Sequence, residues 1–124
     1  MIDHFGINCA DLEASARFYD AVLGVLGHRR LMDVGVAIGY GTDKPDFWIS
    51  GGEAASGPNR EIHVGFTADS ADIVRRWYAT AIELGAESLH EPRLWPEYHQ
   101  AYFGAFVRDP DGNNVEAVCH RGEE

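Results

Sequence analysis

Basic charge and cysteine are what this chain has least of. Lysine occurs once, at Lys44, and the other nine basic residues are arginines, against 20 acidic residues. The net charge of −10 argues against nucleic acid as a partner, since phosphate binding wants a basic face. Cysteine occurs only at Cys9 and Cys119, in no spacing that holds a structural zinc. The two read as reduced, buried thiols. No stretch approaches the roughly 20 apolar residues of a membrane helix, and no membrane partner is expected. The start, "MIDHFGI", carries no basic region followed by an apolar run, so the expectation is a cytoplasmic chain without a secretory signal.

The 124 residues suffice for one compact domain, and they divide into two similar halves. In the first, "IDHFGINC" (2–9) alternates like a strand. Asp11 offers an N-cap, and Leu12, Ala16, Tyr19, Leu23 and Leu26 follow at helical spacing. Gly24 and Gly27 mark the helix end. "HRRLMDVGVAIGYG" reads as two short strands broken near Gly35, and "DFWIS" (46–50) as another. The glycine-rich "GGEAASGPN" (51–59) reads as a linker. The pattern then restarts. "EIHVGFTA" is a strand, Asp69 or Ser70 caps a helix carrying Ile73, Trp77, Ala81 and Leu84, and Gly85 ends it. "AESLHE" predicts a strand and "PRLWPEYHQ" (92–100) a loop. "AYFGAFVRD" and "NNVEAVCH" flank "DPDG", which is hairpin chemistry.

Superposing the halves on His4 and His63 aligns Gly6 with Gly65, Phe18–Tyr19 with Trp77–Tyr78, and Gly27 with Gly85 to within one residue. Each half reads β-α-β-β-β. The expected architecture is α+β, a single domain over 1–124 made of a module at 1–58 and a module at 59–124. Units of about 60 residues bury a core poorly alone, so the two should fold together.

Alternation assigns faces. Phe5, Ile7 and Cys9 share one face of the first strand, as Ile62, Val64 and Phe66 do in its counterpart; these should take the helices. His4 and His63 then point to the helix-free face, where Gly6 and Gly65 leave room. Glu116, between Val115 and Ala117 in the last strand, points the same way. A carboxylate there is costly unless paired, protonated or bound to a cation. Two histidines and a carboxylate suit a divalent Fe, Mn, Co, Ni or Zn ion, with positions left open for substrate. His4, His63 and Glu116 are the expected metal ligands. By superposition Trp48 falls where Glu116 does, as a wall or stacking surface. His99 lies in "YHQAYFGAF" with Tyr98 and Tyr102, where an acid–base role and a plain loop contact are both open. His28, His90 and His120 read as surface residues, and Phe18, Tyr19 and Trp77 as packing.

These stretches, above all "AFVRDPDGNNVEAV", resemble the vicinal oxygen chelate superfamily of glyoxalase I, fosfomycin-resistance thiol transferases, bleomycin-resistance proteins and extradiol dioxygenases. The resemblance covers nearly the whole chain. It implies paired βαβββ modules in a cupped, incomplete barrel around one divalent metal that binds vicinal oxygens of a small-molecule substrate. It also implies a homodimer with shared sites, His4 coming from one subunit and His63 and Glu116 from the other. Trp48 stands where glyoxalase I has its first glutamate ligand, which separates this chain from strict lactoylglutathione lyase activity. The positively charged glycine-rich loop of fosfomycin enzymes is also missing.

The leading expectation is a metal-dependent glyoxalase-like enzyme, a lyase or isomerase, with Glu116, His99 and Tyr102 as catalytic groups and Trp48 and Tyr98 against the substrate. The alternatives are an extradiol-type Fe(II) dioxygenase, for which His99 and Tyr102 echo the histidine–tyrosine pair, and a non-enzymatic, drug-binding, bleomycin-resistance-like protein.

Overall fold

A computed structural model describes residues 1–123. In the first half β1 (Phe5–Asn8) leads into α1 (Leu12–Val25), then β2 (Arg29–Asp33), β3 (Ala37–Gly41) and β4 (Pro45–Ser50). The second half repeats this with β5 (His63–Thr67), α2 (Ala71–Glu83), β6 (Ser88–Leu94), β7 (Phe103–Arg108) and β8 (Asn114–Cys119). Each half makes one four-stranded mixed sheet, ordered β1-β4-β3-β2 and β5-β8-β7-β6. The first and last strand of each unit pair in parallel, and the others pair antiparallel. This is the expected α+β pair of βαβββ modules, with no closed barrel.

Local chemistry explains the boundaries. The Asp11 carboxylate accepts from the Ala14 N–H at 3.1 Å, and the Ser70 hydroxyl accepts from Ile73 N–H at 3.2 Å, capping α1 and α2. Gly27 and Gly85 take φ of 90° and 88° after the helices, a region where a side chain would be strained. The helices bury Phe18, Tyr19, Val22 and Leu23 from α1, and Val74, Trp77 and Ala81 from α2. They pack on each other and on the apolar sheet faces. The rings of Tyr19, Phe47 and Phe66 meet at 5.0 and 5.1 Å, joining the two halves in one core.

The turn between β7 and β8 does more than reverse the chain. Buried Asp109 receives the Tyr19 hydroxyl at 2.7 Å and the Asn113 N–H at 2.9 Å. Asp111 receives the Ala10 N–H at 2.9 Å and the Ser15 hydroxyl at 3.3 Å. Asn113 accepts from Ile62 N–H at 3.1 Å. The "DPDGN" stretch thus fastens the second module onto α1 of the first.

Two expected boundaries are corrected. The strand expected to end at Glu91 runs on through Pro92 to Leu94. β6 is a sheet edge with shifted register between His90 and Arg93, and an edge tolerates a missing N–H. β1 begins at Phe5, which leaves His4 one residue outside it.

Candidate functional site

The pairing registers set the site. Gly65 and Phe106 both stand opposite Glu116 on β8, so the helix-free face of the second sheet carries His63, Gly65, Glu116, Gly104 and Phe106. Glu116 is only 3% exposed, and its two oxygens have different partners. Oε1 lies 3.0 Å from His63 Nε2. Oε2 receives the Tyr102 hydroxyl. A Cβ at residue 65 would lie 3.4 Å from Oε1, and one at 104 would lie 3.3 Å from Oε2. The two glycines are therefore what leaves room for the carboxylate.

Hydrogen bonds assign Nδ1 and Nε2 of His63, His4 and His99 different roles. His63 Nδ1 meets the Asn114 carbonyl at 3.1 Å. A carbonyl only accepts, so Nδ1 carries the proton and Nε2 presents a lone pair to Glu116. Two acceptors at 3.0 Å repel unless a cation, a proton or a metal ion, stands between them. The donor set fits a divalent ion. His4 Nδ1 faces the Asp3 carboxylate at 2.9 Å and donates to it, which in the neutral ring leaves the lone pair on Nε2.

His99 has the opposite polarity. Its Nδ1 accepts from the Ala101 N–H at 3.1 Å, which leaves Nε2–H to donate to His120 Nδ1 at 2.8 Å. Both nitrogens are committed. The two rings flank Tyr102, with centroids 5.4 and 5.3 Å from its own. His120, read as a surface residue, is exposed and is also the partner of His99.

The structure thus unites His63, Glu116 and Tyr102, with His99 behind Tyr102. It does not bring His4 to them within one chain: among the described residues no group of three His, Cys, Asp or Glu side chains could hold a metal ion. Tyr98 is exposed and packs on Trp95 and Tyr102 at 5.7 and 4.9 Å. Trp48, opposite Gly6 and Gly39, lies on the helix-free face of the first sheet. A Cβ at residue 39 would come within 2.9 Å of its indole.

Burial and the neighbouring Glu116 push the Tyr102 phenol well above its ordinary value, so it remains an O–H donor. The sequence reading missed Trp95 and Phe106. Trp95 is buried, donates its indole N–H to the Gly104 carbonyl at 3.0 Å, and carries the Arg93 guanidinium 3.4 Å over its ring. Phe106 was within reach, because the turn at Asp109–Gly112 fixes it opposite Glu116.

The profile of the Glyoxalase/Bleomycin resistance protein/Dioxygenase superfamily matches residues 1–117. The chain belongs to this superfamily. Its members typically use a divalent metal, bind small molecules and often form dimers. A glyoxalase/bleomycin resistance protein from Albidiferax ferrireducens is 28% identical, with 94% of this chain and 97% of that one covered and a TM-score of 0.83. A lactoylglutathione lyase from Agrobacterium tumefaciens is 21% identical over 96% and 92%, with a TM-score of 0.70. A fosfomycin resistance protein from Mesorhizobium loti is 19% identical over 96% and 91%, with a TM-score of 0.68. The last two likenesses show the fold alone. No curated protein matches significantly. Among the described residues no helix is long and apolar enough to cross a membrane.

Proposed function

We propose that this superfamily member is a metal-dependent glyoxalase-like enzyme acting on a small, vicinally oxygenated substrate. The observation that carries the reading is the 3.0 Å approach of His63 Nε2, the ring nitrogen not engaged by the Asn114 carbonyl, to buried Glu116 Oε1. His63 and Glu116 would hold the ion, with His4 of a second copy completing the set in a homodimer. A divalent ion bound there supplies Lewis-acid polarisation of substrate oxygens. Tyr102 holds the carboxylate in place through Oε2 and keeps a proton on its hydroxyl beside the site. His99, paired with His120, fixes the Tyr102 ring. Trp48 and Tyr98 would border the substrate.

The test is metal content by elemental analysis after reconstitution, in the wild type and in Glu116→Ala. The wild type should retain about one ion per chain and the variant almost none. Equal retention by both, or none in either, sinks the reading. Turnover of hemithioacetals would place the reaction in the glyoxalase class. A second reading has one observation in its favour: Trp95, Tyr98 and Phe106 pack together near Glu116 and suit an aromatic ligand. Iron retention with ring cleavage of catechols would move the assignment to an extradiol-type dioxygenase.

A further inference from the structure

Asp3 and Lys44 lie outside every site residue named so far, and both are largely exposed. Their geometry is nonetheless specific. Lys44 Nζ bonds the Asp3 carboxylate at 2.7 Å through Oδ2 and the Asp3 carbonyl at 3.1 Å. The other carboxylate oxygen, Oδ1, takes the His4 Nδ1–H at 2.9 Å. The chain's only lysine is thus spent on holding the carboxylate that orients His4.

An exposed ion pair contributes little to stability, so folding does not explain this arrangement. The second half of the molecule shows what it does. His63, at the matching position of its module, has its Nδ1–H fixed by the Asn114 carbonyl and its Nε2 turned to Glu116. His4 has no such backbone carbonyl among its hydrogen bonds, because β1 starts one residue after it. A side-chain carboxylate takes the carbonyl's place. Both modules therefore engage Nδ1 and leave Nε2 as the nitrogen turned to a metal, by different means.

We infer that Asp3, anchored by Lys44, is the positioning residue that sets the tautomer of His4 for metal binding. The inference rests on the metal reading given above. A hydrogen-bonded carboxylate behind a ligating histidine fixes its ring and raises its basicity, and its loss typically weakens metal affinity about 10- to 100-fold.

The experiment uses the full chain and two readouts. Long-range proton–nitrogen NMR correlations report which His4 nitrogen carries the proton in metal-free protein at a pH where the ring is neutral. Calorimetric titration with Zn²⁺ alone reports affinity. The wild type should show Nδ1–H at His4, and Asp3→Ala should move the proton to Nε2. Zn²⁺ affinity should fall about 10-fold or more in Asp3→Ala, and less, in the same direction, in Lys44→Met. The melting temperature should stay put in both variants. An unchanged His4 tautomer, or unchanged Zn²⁺ affinity in Asp3→Ala while His63→Ala loses binding, overturns the positioning role and leaves the metal reading standing. A wild type that takes up no Zn²⁺ overturns both.

Discussion

Glu116 shows how much a single residue's surroundings decide. Buried at 3% exposure, it keeps one oxygen for Tyr102 and offers the other to His63. Replacing Tyr102 with Phe would strip Oε2 of its donor without changing shape. That should cost about 1–3 kcal/mol, read by urea denaturation of metal-free protein. Cys9 makes a second case. Burial, ahead of nearby Asp109 and Asp111, pushes its thiol up to about 11. The reactive thiolate is therefore scarce at neutral pH. Iodoacetamide at pH 7.5 should leave Cys9 intact in folded protein and modify it in urea, as mass spectrometry of the peptide would show. At this scale the sequence was readable where alternation and a turn fix direction, as for His63 and Glu116. It was unreadable for His99 and Asp3, because which nitrogen of an imidazole carries a proton depends on backbone groups that no residue pattern reveals.

Among the elements, α1 ties the molecule together twice. Its Tyr19 hydroxyl reaches Asp109 in the second half at 2.7 Å. Tyr19→Phe should cost about 2 kcal/mol, since the bond is buried and its acceptor charged. Its Asp20 takes Arg30 at 2.8 Å from β2 and the Tyr40 hydroxyl at 2.8 Å from β3. Burial pushes the Asp20 carboxyl up, but those two hydrogen bonds outweigh it and hold it below its ordinary 3.8. A lowered folded value means stability that is present above 3.8 and fades as pH falls through and below it. Melting curves from pH 5 to pH 2.5 should show Asp20→Asn losing less than the wild type over that window. Helices and most strands were legible because caps, glycines and periodicity agreed. The exception was β6, where Pro92 read as a breaker: only the sheet order shows that the strand is an edge.

For the whole molecule, the repeat was legible and the meeting of its parts was not. The two modules could be counted from matched histidines and glycines. How they dock depended on the Asp109–Asn113 turn, whose side chains look like ordinary turn chemistry until α1 is seen against them. That docking leaves His4 away from His63 and Glu116 in one chain. The shared-site proposal then makes a mixing prediction. His4→Ala and Glu116→Ala should each fail to retain metal alone. Unfolded and refolded together, random pairing makes half the dimers mixed, each with one intact site, so about a quarter of the wild-type metal should return. Sites contained within single chains would recover none.

Trp48 lying across Gly39 also constrains the order in which this protein can change. A methyl group added at residue 39 would stand 2.9 Å from the indole, and 2.8 Å from the Pro45 Cβ. Glycine there is thus held in place by two neighbours, Trp48 and Pro45. Lineages that first traded Trp48 for something smaller would relieve one of the two obstacles to a side chain at 39, and those that tried 39 first would meet both.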